Sequence, residues 1–223
     1  MVVSTFGQEG GLSVATAAAV SGNATNRDFL FRRLHTLSGV VPVGMFLLEH
    51  LFTNATATMG ASAYNNAVNA IQHIPFLHVV EFIFIFVPLI YHGVYGLYSA
   101  YTSGYNSGQY TWARNQLFVW QRITGVITFV FIIYHLWETR FSGQEPNFQF
   151  VHNLVAQPAN FIFMAVGVLA ATFHFSNGLW SFMVHWGITV GPRAQRVAAI
   201  VLLTLFIVLA AMGLISLVDF ARG

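Results

Sequence analysis

From residue 34 onward, the chain alternates long apolar runs with short polar connections. Five runs stand out, at about 34–54, 76–101, 117–138, 158–184 and 197–218. Each approaches or exceeds the ~20 residues that a bilayer-spanning helix needs. The pattern predicts an all-α integral membrane protein of five transmembrane helices. The first four runs each carry one histidine deep inside: His50, His92, His135 and His174. The fifth is apolar throughout except Thr204 and Ser216, and reads as a packing helix. Residues 1–26 are rich in Ser, Thr, Ala and Gly with one charge, Glu9, and no basic stretch of a signal peptide precedes Arg27. They are expected to form a flexible cytoplasmic extension ahead of a five-helix domain over 27–223.

Composition agrees with the pattern. Hydrophobic residues make up 56% of the chain and charged residues 7%, against about 25% charged in soluble domains. All nine basic residues are arginine, and a net charge of +2 gives no reason to expect a nucleic-acid partner. Cysteine is absent, which excludes disulfides, thiolate zinc sites, Cys-ligated iron–sulfur clusters and covalently attached c-type haem on this chain.

Arginine placement predicts orientation. Arg27, Arg32 and Arg33 precede the first span, Arg114 and Arg122 flank the start of the third, and Arg193 and Arg196 join the fourth to the fifth. With the N-terminus inside, only Arg140 and Arg222 fall outside, which satisfies the positive-inside rule. The expected topology is N-in, C-out.

Helix rise then sorts the histidines by depth. His50 and His135 lie 16–18 residues beyond the inner ends of their spans, roughly 24–27 Å across and so near the outer face. His92 and His174, on spans running the other way, each lie 16 residues beyond the outer end, roughly 24 Å across and near the inner face. An ionisable side chain in hydrocarbon is a functional-site hypothesis by default. Two imidazoles at one depth on two helices suit a bis-histidine b-type haem, so the pattern points to two haems b, ligated by His50 with His135 and by His92 with His174. A haem-free transporter with a histidine proton relay is the rival reading, but it leaves the two-by-two depths unexplained. Gly39, eleven residues before His50, falls on the same face at the level of the inner pair, and Gly96 and Gly178 lie one turn from His92 and His174.

Several motifs carry a family likeness: Phe31-Arg32-Arg33-Leu34-His35, Gly44-Met45-Phe46-Leu47-Leu48-Glu49-His50-Leu51, Pro88-Leu89-Ile90-Tyr91-His92-Gly93-Val94-Tyr95-Gly96, Gln121-Arg122-Ile123-Thr124-Gly125 and Phe173-His174-Phe175-Ser176-Asn177-Gly178-Leu179-Trp180. In order and spacing they resemble the dihaem cytochrome b subunit of succinate:menaquinone oxidoreductases and the related quinol:fumarate reductases, the single-anchor type with five helices, from about Asn26 to the end. The resemblance implies that the four helix histidines are axial ligands. It also implies a flavoprotein subunit and an iron–sulfur subunit as partners on the cytoplasmic side of a bacterial inner membrane, and menaquinone as electron acceptor. Cytochrome b anchors of formate dehydrogenases or hydrogenases share the bis-histidine design and form the alternative. In one branch of the family a glutamate two residues before the inner ligand on the fourth helix carries protons; here Thr172 stands there. That branch also has a quinone-site glutamate at the end of the first loop, where this chain reads Ile71-Gln72-His73-Ile74.

Other side chains are secondary candidates. Glu81, eleven residues before His92 and one turn from His78, lies at the level of the outer haem and is a candidate quinone-site acid with His78. Glu49 and Glu138 flank the outer ligands and are expected to act as interfacial charges or to hydrogen-bond a ligand or a neighbouring helix. Arg33, His35, Thr36, Arg122 and His185 cluster at the inner end and are candidate haem-propionate contacts. His73 and His152 fall in outer loops and are expected to be solvated. The 102–116 and 186–196 loops, with Arg114, Arg193, Arg196, Tyr105, Tyr110 and Trp112, are the expected docking face for the soluble partners.

Overall fold

The computed structural model describes residues 26–104 and 108–223. The expectations for the extension up to residue 25 and for Tyr105 lie outside the described residues. In chain order the helices are α1 (Asn26–Met59), α2 (Ala61–Gln72), α3 (Leu77–Thr102), α4 (Ala113–Glu138), α5 (Phe148–Val155), α6 (Pro158–His185) and α7 (Pro192–Arg222), with no strand among the described residues. Helices α1, α3, α4, α6 and α7 are long and apolar enough to cross a bilayer. They extend beyond the apolar runs that announced them. Arg27, Asp28, Arg32 and Arg33 continue α1 as helix into polar surroundings, because leaving hydrocarbon ends the hydrophobic pattern without breaking backbone hydrogen bonds.

Proline punctuates the bundle. Pro158 and Pro192 sit in the first turns of α6 and α7, where the missing N–H would have no helical acceptor anyway. Two others fall inside spans. A single turn residue, Val41, interrupts α1 just before Pro42. Ahead of Pro88, α3 widens into a π-turn over Phe82–Phe86. A wider turn is one way to relieve the clash between a proline ring and the preceding carbonyl.

The five long helices close into a ring in the order α1, α3, α4, α6, α7, with α6 packed most extensively against α4 and α7. Small residues allow the close approaches: Gly213 of α7 meets Val168 and Leu51, and Gly167 of α6 meets the Phe131 ring. Helix α3 is the most loosely held, with Phe82, Phe84, Ile90 and Val94 exposed on its surface, as lipid-facing positions should be.

The arginine-poor end carries structure that the hydropathy pattern hid. The stretches 55–75 and 139–157, which read as loops, contain α2 and α5, and a core of Tyr64, Val68, Phe148, Val155, Leu217 and Phe220 lies there. Tyr64 meets Phe220 edge-on at 4.9 Å between centroids, and burial pushes its phenol up to about 12. Asn147 caps α5, its Oδ1 accepting from the Phe150 N–H at 2.9 Å, and Asn65 Oδ1 accepts from the Phe148 N–H at 2.7 Å. His152, expected to be solvated, instead donates from Nδ1 to the Phe220 carbonyl at 2.7 Å and ties α5 to the end of α7. His73 bonds to the Asn69 carbonyl of its own helix and stays exposed.

Candidate haem-binding site

Four histidines on four helices meet as two pairs. His50 of α1 and His135 of α4 have ring centroids 5.8 Å apart with planes at 76°. His92 of α3 and His174 of α6 stand 6.1 Å apart with planes at 81°. These are the partners that helix rise selected. In each pair the histidines come from helices with almost no backbone contact between them, so the side chains reach across the middle of the bundle. Two nitrogens sharing one metal axis at about 2 Å each, with each ring centroid about 1 Å further out, put centroids on the order of 6 Å apart. No three His, Asp or Glu side chains converge among the described residues. A bare ion would lack ligands here, whereas a metal that brings four equatorial nitrogens needs two.

The pair nearer the arginine-rich end sits in matched backbone cradles. His92 Nδ1 bonds the His35 carbonyl at 2.9 Å, and His174 Nδ1 bonds the Gln121 carbonyl at 3.0 Å. A carbonyl can only accept, so each Nδ1 carries the proton and each Nε2 is left with its lone pair for a metal. Such a bond to the far nitrogen fixes a ligand's tautomer and orientation. Four residues after each carbonyl comes a glycine. A Cβ on Gly39 would overlap the His92 ring, and one on Gly125 would stand 2.8 Å from His174 Cε1. The same offset, carbonyl at i and glycine at i+4, thus recurs on α1 and α4. Gln121 adds its side chain, donating from Nε2 to the His174 carbonyl at 2.9 Å while its Oε1 accepts from Asn177 at 2.7 Å.

The other pair is held differently. Phe131 stacks on His135 at 5.3 Å and 20°, and Gly167 makes room for Phe131. His135 Nδ1 is buried without a hydrogen-bond partner.

Each secondary candidate now has a position. His35 lies flat against His92, 4.2 Å between centroids and 9° between planes, and its Nδ1 is buried without a partner. Thr36 accepts from Trp186 Nε1 at 3.2 Å, and Arg33 lies over the Trp186 ring at 4.7 Å. Arg122 donates to Ser103 Oγ at 2.9 Å. His185 is bonded to the Ser181 carbonyl of its own helix at 2.8 Å and exposed. At the opposite end Glu81 pairs with Arg140 at 2.8 Å, and His78 approaches the same guanidinium at 2.8 Å. Glu49 accepts from Thr53 on its own helix at 2.6 Å, while Glu138 bonds a neighbouring helix through Asn160 at 3.3 Å. Thr172 is fully buried and donates to the Val168 carbonyl at 2.7 Å, a packing role with no acid.

Sequence reasoning passed over Gln121, Gly125, Phe131 and Arg140 as site residues. A signal existed for two of them, since Gln121/Gly125 repeats the spacing of His35/Gly39 at the arginine-rich start of a span. Phe131, one turn before His135, is one apolar residue among many on that helix, and Arg140 acts through Glu81 and His78 far away in sequence, so neither left one.

Comparison with known proteins meets this geometry. Residues 104–213 match the family described as the succinate dehydrogenase/fumarate reductase transmembrane subunit. The succinate dehydrogenase cytochrome b558 subunit of Bacillus subtilis (strain 168) is 51% identical over 198 residues, covering 87% of this chain and 98% of that protein. With half of the residues shared across nearly the whole of that relative, the chain belongs to the family of transmembrane cytochrome b subunits of succinate dehydrogenase and fumarate reductase.

Proposed function

We propose that this chain is the membrane-anchor cytochrome b subunit of a succinate dehydrogenase, conducting electrons from a flavoprotein and an iron–sulfur subunit to menaquinone. The observation that carries the reading is the meeting of four intramembrane histidines as two facing pairs at two depths. His92 and His174 hold an inner haem b, and His50 and His135 an outer one. Bound there, haem supplies one-electron redox chemistry whose potential is set by ligation, hydrogen bonding and burial. The protein's part is orientation. The His35 and Gln121 carbonyls hold both inner imidazoles in the tautomer that offers Nε2, and Gly39 and Gly125 let each ring lie against bare backbone. Arg33, His35, Thr36 and Arg122 supply charge and hydroxyl partners for the inner propionates; His185, exposed, contributes least.

The arginine-rich end faces the cytoplasm of a bacterial inner membrane, giving N-in and C-out. The soluble subunits dock there, against 102–116 and 186–196. A cleft of about 550 Å³ lined by Gly104, Trp112, Arg114, Asn115 and Phe118 supports this, with Trp112 75% exposed and Arg114 held 3.5 Å over the Trp180 ring. Exposed aromatics beside arginine are typical interface anchors.

The test is a dithionite-reduced spectrum of the purified chain, together with identification of the soluble subunits that co-purify. Two b-type haems and a flavoprotein with an iron–sulfur partner are expected. A chain without haem, or one associated with a different dehydrogenase, overturns the proposal.

A further inference from the structure

Beyond the histidine pairs, the arginine-poor end holds an ionic cluster that bridges two helices. Arg140 follows His135 by five residues, just past the end of α4, and its guanidinium reaches the first turns of α3. Nη2 donates to Glu81 Oε2 and to His78 Nδ1, each at 2.8 Å. A guanidinium can only donate, so this His78 nitrogen accepts and the ring carries no charge. The Glu81 side chain is largely enclosed, 19% exposed against 79% for His78, and Phe141 packs on Phe86 at 6.2 Å between centroids. Arg140 is thus fixed from both helices. Its Nη1 and Nε have no hydrogen-bond partner among the described residues. A planar fork of donors with one nitrogen engaged is suited to grip a second carboxylate. The other arginine at this end, Arg222, lies 3.9 Å from Asp219 of its own helix. Glu138, three residues after His135, is held by Tyr134 and Asn160 and adds only negative charge.

We propose that Arg140, anchored by Glu81, is the cationic partner of a propionate of the outer haem. The proposal rests on the haem reading given above, and supplies for the outer haem what Arg33, His35, Thr36 and Arg122 supply for the inner one. Haem b carries two propionate carboxylates, and a carboxylate taken partly out of water needs a paired cation or hydrogen-bond donors. Helix α3 flanks the gap between α1 and α4, the helices that carry His50 and His135. A guanidinium at the α3–α4 junction, five residues beyond His135, therefore stands on the water side of the outer ligands and beside the gap they span. Glu81 and His78, read from the sequence as quinone-site candidates, become the anchors of that guanidinium. An arriving electron makes a haem more negative, so a cation at its propionate favours the reduced form and a nearby anion opposes it. Arg140 accordingly raises the potential of the outer haem, and Glu81 lowers it while holding Arg140 in place.

The experiment uses the intact complex, purified in detergent from cells fed carboxyl-labelled δ-aminolaevulinate, which places the isotope in the haem propionates. Redox-difference infrared spectra across each haem's reduction step read the propionate bands, and an optical redox titration reads each midpoint potential. The component missing from His135→Ala marks the outer haem. Arg140→Gln is expected to retain both haems and to shift the outer propionate bands. It should also lower the outer haem's reduction equilibrium constant on the order of tenfold, about 59 mV for one electron, with the inner haem's potential unchanged. Glu81→Gln should raise the outer potential, because it removes an anion and leaves the guanidinium to the propionate. A mere strap between α3 and α4 predicts that both variants shift the outer potential in the same direction, and that outcome overturns the assignment. Unaltered propionate bands in Arg140→Gln overturn it as well. If Arg140→Gln does not assemble, Arg140→Lys carries the test. Lysine keeps the charge and loses the fork, so the outer bands should shift while the potential stays near wild type; unshifted bands overturn the proposal. A wild-type complex without a second b-type haem refutes the haem reading itself. Two haems whose propionate bands are indifferent to Arg140 refute only this assignment.

Discussion

A methyl group added at Gly125 tests the inner cradle most directly. Its Cβ would stand 2.8 Å from His174 Cε1, where ordinary contact begins at 3.4 Å. The ring must therefore retreat by about 0.6 Å, the difference between those distances. Moving directly away from the Gln121 carbonyl would stretch the Nδ1 bond from 3.0 Å to about 3.6 Å, past the useful range of a hydrogen bond. Losing that bond costs about 1 kcal/mol net, and overpacking adds about 1–3 kcal/mol. Alanine in place of glycine within a helix returns about 1 kcal/mol. The bundle should therefore survive Gly125→Ala with a loss of roughly 1–3 kcal/mol. Ligation is more sensitive, because disturbing the groups that orient a metal ligand typically lowers affinity about 10–100-fold. We expect Gly125→Ala to lose inner haem while keeping outer haem, and Gly39→Ala, whose Cβ overlaps the His92 ring, to lose the same one. The assay is the haem-to-protein ratio of the purified complex with its reduced-minus-oxidised spectrum; His92→Ala identifies the inner component. Full haem content with a wild-type spectrum in both glycine variants, or selective loss of the outer component, refutes the cradle.

Gln121→Leu removes the side-chain contacts to His174 and Asn177 but keeps the backbone carbonyl; both haems should remain, with the midpoint potential shifted for the inner haem alone in a redox titration. Asn147→Ala removes the α5 cap and should cost about 1 kcal/mol, read as a lower unfolding temperature of the complex with unaltered haem spectra. Thr172 offers no acid to carry protons, so outward electron movement should be assisted by the membrane potential, a full transit being worth about 2.3 kcal/mol per 100 mV. Succinate:menaquinone activity in energised, sealed vesicles should therefore fall when an uncoupler is added, and constant activity there would refute uncompensated charge movement.

The sequence alone determined the class of this protein and the pairing of its histidines. Apolar runs long enough for a bilayer admit only helices, because hydrocarbon satisfies no free backbone group. A fixed rise per residue then turns position into depth, so His50 with His135 and His92 with His174 were legible before any packing was known. Gly39 at the level of the inner pair came from the same arithmetic.

What depth cannot supply is azimuth and the identity of neighbours. That His92 bonds the His35 carbonyl, that His35 stacks on the ring it supports, and that Glu81 is claimed by Arg140 all depend on how helices rotate and where loops return. Those outcomes are settled by side-chain packing among residues tens of positions apart. The core of Tyr64, Phe148 and Phe220 was hidden for a related reason: α2 and α5 are short and amphipathic, and bury their apolar sides against the end of α7. Hydropathy reports which stretches leave water for lipid. It is silent on which ones leave water for each other, and only the tertiary structure decided that.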